Sequence, residues 1–217
     1  MDVTTALRTT GSVRSFTPRE IDDATVASIL DDARFAPSGG NRQPWRVAVV
    51  KDLSTRRVLG DAMRPVWADY VAASRGGTTP FVFGRGPAGE ASPAPNDLLD
   101  RIEHVPVVMV VAADLRRIAL MDGLLARPAI TGGGSVYPFC WSILLAARAR
   151  GLGGVLTTFL SRVEPEVEQV LALPPDHALA ATIFLGEPVH QPTRLARRTV
   201  DRFATIDTFD GPPLPSS

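Results

Sequence analysis

The stretch VPVVMVVAADL, residues 105–115, is nearly all β-branched or otherwise apolar. That is the composition of a strand buried on both faces, which needs a layer of structure on each side. HALAATIFLGEP (177–188) reads as a second buried strand followed by a turn, and RVAVV (46–50) and GGVLTTF (153–159) as two more. The longest apolar stretch, 105–113, is far too short to span a bilayer as a helix.

Between these runs lie helical patterns. Residues 2–10 suit a short helix ending near Gly11, and Thr17-Pro18-Arg19-Glu20 reads as a helix entry with Pro in the first turn. Ile21, Val26, Ile29, Leu30 and Ala33 then follow three- and four-residue spacings, an amphipathic helix ending before Pro37. Asp52-Leu53-Ser54 starts a helix through about Val71, and a further helix-like region ends at Arg127-Pro128. FCWSILLAARARGLG (139–153) is apolar all round, which predicts a central, buried helix with Gly151 as its C-cap. Pro165 opens a short helix to about Leu171. The Gly/Pro-rich stretch 74–96 reads as a long loop or lid, with Phe81 and Phe83 as its only large apolar anchors. There is no internal repeat and no clean boundary, so residues 1–217 are expected to form a single α+β domain.

Charge narrows the function classes. Lys plus Arg and Asp plus Glu each total 23, so a whole-chain attraction to nucleic acid or membrane is not expected. Cys140 is the only cysteine, and His104, His177 and His190 are far apart, so neither a disulfide nor a metal site is expected. The N-terminus carries no signal-peptide pattern, and a cytoplasmic location is expected. Gly-x-Ser-x-Gly is absent, no Ser-His-Asp set assembles, and the glycine clusters TGGGS and GLGG are neither GxGxxG nor a P-loop. With no acid/base signature, no catalytic side chain is assigned, and a bound cofactor is expected to carry the chemistry.

The segment APSGGNRQPW (36–45) is where something flat or anionic could approach the main chain. Gly39 and Gly40 put no Cβ in the way. Asn41 and Gln43 supply donors and acceptors. The plainer alternative is a helix-ending turn with Trp45 as a core plug; it accounts for Pro37, Pro44 and Trp45 but leaves Asn41 and Gln43 without a partner. Arg14, beside Ser12 and Ser15, and Arg197 with Arg198 form arginine clusters at opposite ends of the chain that could converge on one phosphate.

SVRSFTPREI, APSGGNRQPWRVAVV, the SVYP-headed helix, GLGGVLTTF, and LGEP followed by LARRTVD occur in that order. Over about residues 4–204 the chain resembles the FMN-dependent nitroreductase family. The resemblance implies an α+β, nitroreductase-like fold with a central, mostly antiparallel sheet flanked by helices, in an interlocked homodimer with FMN at the interface. It implicates Ser12, Arg14 and nearby Arg8 at the flavin phosphate and ribityl chain, with Arg197 and Arg198 from the other end. Pro37, Ser38, Gly39, Asn41 and Gln43 would reach the flavin from the partner subunit, and Leu156, Thr157 and Thr158 would lie beside the ring. The family's first motif commonly reads Arg-Arg-Ser-x-Arg, whereas this chain has Thr10-Gly11-Ser12-Val13-Arg14. Either Arg8 or the C-terminal arginines replace the two missing charges, or FMN binds less tightly. The implied activity is hydride transfer from NADH or NADPH through the flavin to a nitroaromatic, quinone or other conjugated small molecule. The alternatives are a specialised member that dehydrogenates a metabolite or breaks down flavin, and a flavin-binding storage or sensor protein.

Overall fold

The computed structural model describes residues 1–79 and 92–215. Its centre is a four-stranded sheet of β1 (Trp45–Val49), β2 (Val107–Asp114), β3 (Gly153–Thr157) and β4 (His177–Gly186). The order across the sheet is β1-β2-β4-β3, and every neighbouring pair is antiparallel. The helices are α1 (Val3–Thr9), α2 (Asp23–Ala33), α3 (Leu53–Arg75), α4 (Asp97–Asp100), α5 (Tyr137–Ala149), α6 (Phe159–Arg162) and α7 (Glu164–Val167).

β2 is apolar at almost every position because both of its faces are covered. Val107, Met109, Val111 and Ala113 join a core with Ile29 of α2 and Phe139 and Ile143 of α5. Val108, Val110 and Ala112 join a second core with Leu59 and Met63 of α3, Leu99 and Phe184. A register shift against β4 falls between Val111 and Ala112. Helices thus sandwich the sheet, the architecture expected of a doubly buried strand.

Several boundaries differ from the sequence reading. α2 starts not at Thr17-Pro18 but at Asp23, where the Asp22 carboxylate accepts from the Thr25 amide at 2.7 Å. That N-cap sets the start, while Thr17 is spent elsewhere: its hydroxyl donates to Glu187 at 2.6 Å. No helix ends at Arg127-Pro128. A 3-10 turn, Leu115–Arg117, leads into irregular chain wrapped around Asp122. That buried carboxylate accepts from the amides of Ile130 and Thr131, the Thr131 hydroxyl and the Arg127 guanidinium. The Ile130 amide first among them, these donors hold the Asp122 carboxyl well below its ordinary range. Side-chain bonds to the main chain thus supplant helical ones.

α3 runs one turn beyond Val71, to Arg75, so the expected lid begins inside a helix. Residues 80–91 of that stretch, with Phe81 and Phe83, lie outside the described residues. Pro165 sits in the single turn of α7, and the chain to Leu171 continues in turns. α5 is not buried all round: Phe139, Cys140 and Ile143 are, but Tyr137 and Trp141 are 44% and 37% exposed. Gly151 follows its C-cap with φ +78°, as a helix-terminating glycine should. No helix among the described residues is long and apolar enough to cross a membrane.

Candidate binding site

The N-terminal motif is laid against the edge of the sheet. The Val13 amide donates to the Gly154 carbonyl at 2.9 Å, and Ser12 bridges Gly154 in parallel. The approach needs glycine: a Cβ on Gly153 would come within 2.9 Å of Val13 Cβ and 3.1 Å of Pro188 Cβ. Val13 is buried by this contact, and Ser12 and Arg14 on either side of it are exposed.

Arg14 stands between two clefts. One, of about 610 Å³, runs between Ser12–Pro18 and the segment Asn96–Val105, with His190 and Pro192 at its side. The other, of about 240 Å³, is walled by Trp67, Tyr70 and Phe159 and by Leu156, Thr157 and Thr158. Arg14, Asn96 and Leu98 border both. The three aromatic rings sit with centroids 6.0–6.1 Å apart, Trp67 and Tyr70 nearly parallel at 11°. The Trp67 indole donates to the Pro95 carbonyl at 3.0 Å, which fixes the wall to the chain entering α4. The Thr157 hydroxyl is buried without a hydrogen-bond partner among the described residues, as is that of Thr182, directly opposite it on β4. Buried polar atoms are ordinarily paired, so an orphan hydroxyl beside a cleft marks a place for a ligand atom or ordered water.

Ser12, Arg14, Leu156, Thr157 and Thr158 are therefore brought together. The rest of the expected set is not. Pro37, Ser38, Gly39, Asn41 and Gln43 precede β1, whereas Thr157 ends β3, and these strands are opposite edges of the sheet. Three strand spacings, roughly 14 Å, separate the edges. The loop is a built structure in its own right. Gly40, Asn41 and Gln43 have φ of +60°, +52° and +46°, and the Gln43 amide donates to the Ser38 hydroxyl at 3.0 Å. The Gly39 amide donates to the Ser135 hydroxyl at 3.0 Å, tying the loop to the TGGGS segment. Asn41 and Gln43 are not without partners, as the plainer reading required: the Gln43 side-chain amide donates to Asn41 Oδ1 at 3.0 Å. Trp45 does plug the core, stacked on Phe139 at 4.6 Å. Yet two non-glycine residues held at positive φ, with exposed amides, exceed what a helix-ending turn needs.

Arg8 is exposed on α1, and Arg197 and Arg198 are exposed in the tail. The two chain ends do meet, since the Gln191 side chain donates to the Thr9 carbonyl at 3.2 Å. None of these three arginines lines the larger cleft. Trp67, Tyr70, Phe159, Arg101, His104 and His190 line the clefts but were not among the expected residues. The one signal they offer is the three-residue spacing of Trp67 with Tyr70 and of Arg101 with His104, which puts each pair on one side of a helical turn. Elsewhere, burial pushes the Cys140 thiol up to about 12, so it is no nucleophile. The Arg116 guanidinium, bonded to Asp114 at 2.9 Å through two nitrogens, holds that carboxyl at about 2. No His/Cys/Asp/Glu group suited to a metal occurs among the described residues.

A family model described as the Nitroreductase family matches residues 7–187. This chain belongs to the nitroreductase family. An NADH dehydrogenase of Thermus thermophilus is 28% identical over 88% of this nitroreductase-family chain and 89% of its own. A 5,6-dimethylbenzimidazole synthase of Rhodobacter capsulatus is 33% identical over 86% and 83%. Among solved structures, a Desulfovibrio desulfuricans nitroreductase in complex with FMN superposes with a TM-score of 0.69 at 20% identity, covering 96% of this chain and 98% of that one. The α+β fold with its antiparallel sheet is thus the family's fold.

Proposed function

We propose that this nitroreductase-family chain is an FMN-dependent oxidoreductase that uses NADH or NADPH. The observation that carries the reading is the position of Arg14, at the junction of a polar cleft and an aromatic one lined by the unpartnered Thr157 hydroxyl. These residues fit FMN, which joins an anionic phosphate to a flat ring with polar edges. When bound, FMN would accept a hydride from the reduced nicotinamide and pass reducing equivalents to a nitroaromatic, quinone or other conjugated small molecule.

The chain's own part is placement and electrostatics. The Arg14 guanidinium offers a charge-assisted fork to phosphate oxygens, held in place by the Val13–Gly154 bond one residue before it. Trp67, Tyr70 and Phe159 supply apolar wall and exclude water. Thr157 supplies the hydroxyl that answers a polar edge. Pro37, Ser38, Gly39, Asn41 and Gln43 complete the site from a second copy of the chain, since their own Thr157 lies across the sheet. Leu156 and Thr158 flank the ring, and Arg8, Arg197 and Arg198 contribute long-range positive potential from the meeting of the chain ends. The complex is then a homodimer.

The deciding experiment is the absorption spectrum of the purified protein, before and after anaerobic NADH or NADPH. A yellow protein that bleaches is expected; a colourless protein that takes up no FMN overturns the reading, and bound flavin that never bleaches indicates storage instead. The 33% identity to a 5,6-dimethylbenzimidazole synthase favours a second reading, a specialised member acting on a metabolite or on flavin itself. Mass spectrometry of the reaction with FMN and NADH under air, showing a benzimidazole product, would select it.

A further inference from the structure

The N-terminal motif has one arginine where two more positive charges are expected, and Arg8, Arg197 and Arg198 do not line the larger cleft. Arg101 and His104, from the segment Asn96–Val105, and His190 line the same cleft as Arg14. All four side chains lack a hydrogen bond or ion pair to any other described residue. The arginines elsewhere that carry structure are engaged: Arg56 on three main-chain carbonyl bonds, Arg64 on Asp61 and Asp100, Arg150 on Asp32. Among the described residues Asp97 is the one acid that lines the cleft, and it makes no ion pair with Arg101 one turn on. Ser12 and Ser15 add hydroxyl donors. A cleft of about 610 Å³ with two guanidiniums that pair with no described residue, two imidazoles and two hydroxyls attracts a phosphate rather than a cation.

We propose that Arg101 supplies positive charge that the N-terminal motif lacks and that His104 and His190 add imidazole N–H donors, so that together with Arg14 they clamp a phosphoryl group in this cleft. The inference rests on the flavin reading but names different residues from those the family motif points to. The phosphate belongs either to FMN or to the nicotinamide dinucleotide, and the two sources are separable.

The variant is Arg101→Gln, with Arg75→Gln, an exposed arginine at the end of α3, as control. Affinities of the apoprotein for FMN and riboflavin are read by flavin fluorescence, and for NADPH and NADH by calorimetry on the flavin-loaded protein. FMN weakened about tenfold or more with riboflavin unchanged assigns the flavin phosphate. Both flavins unchanged but the dinucleotides weakened as much assigns the nucleotide phosphates. Unchanged affinities throughout, or FMN and riboflavin weakened equally, overturn the proposal. His190→Ala should act in the same direction as Arg101→Gln, and unchanged far-ultraviolet dichroism in both excludes misfolding. If the wild-type protein binds no flavin, the functional reading fails separately. The cleft is then judged with pyrophosphate alone, which should bind the wild type and bind Arg101→Gln at least about tenfold more weakly; no binding to the wild type overturns the cleft assignment too.

Discussion

Two residues on the cleft make opposite demands on the chain. The Thr157 hydroxyl costs stability while it is buried without a partner, and repays this only when a ligand atom meets it. Thr157→Val, which keeps the shape and removes the hydroxyl, should therefore raise the melting temperature of the apoprotein while weakening FMN. An unpartnered polar group of this kind is worth about 1–3 kcal/mol. Scanning calorimetry of the apoprotein and flavin titration check the two halves independently; a lower apoprotein melting temperature would mean that the hydroxyl has a structural partner. Arg14 is exposed and pairs with no other described residue, so Arg14→Ala should leave the fold alone and cost FMN about 1.5–3 kcal/mol, roughly ten- to hundredfold in affinity. Asp114 behaves differently because its carboxyl is bonded within the fold to Arg116 and held at about 2. A depressed carboxyl contributes stability that is present above its unfolded pKa, near 3.8, and is lost as pH falls through about 2. In urea unfolding, the gap between wild type and Asp114→Asn should be constant above about pH 5 and close as pH falls to 2.

At the scale of elements, the site depends on one contact between the N-terminal strand segment and β3. Gly153→Ala would drive a methyl into Val13 and Pro188. Relief of that overlap moves Ser12–Arg14 off the sheet edge, so one substitution should lower both stability, by about 1–3 kcal/mol, and flavin affinity. Urea unfolding and fluorescence titration of the same variant read both. Loss of stability with unchanged affinity would separate Arg14's position from the strand. The elements were largely legible in the sequence where hydrophobic period or a cap decides them: β2, β4, α5 and the Gly151 stop all form. They were not legible where a single carboxylate decides. Asp22 outcompetes Thr17 as the cap of α2, and Asp122 gathers four donors where a helix ending at Arg127-Pro128 was expected.

For the whole molecule, the order β1-β2-β4-β3 is the decisive fact, since it puts the loop before β1 and the end of β3 on opposite edges. The proposed site closes only when a second copy brings its own loop to Thr157. α5 leaves Tyr137 and Trp141 exposed at 44% and 37%, apolar surface suited to that copy. Light scattering at micromolar concentration should give about twice the chain mass of 23.2 kDa, and a flavin-loaded monomer would dismiss the two-copy site.

The chain's apolar runs alone determined that a doubly buried strand lies at the centre, because no other packing hides such a run from water on both faces. Its ordered motifs alone determined the family. Tertiary structure decided which of those motifs share a cleft, because strand order is set by long-range pairing and sequence distance carries no record of it. It also decided which charges face the cleft. Arg101 and His190 belong to no motif, and only the packing of the Asn96–Val105 segment and the 189–192 stretch beside Ser12–Pro18 puts them on the same cleft as Arg14.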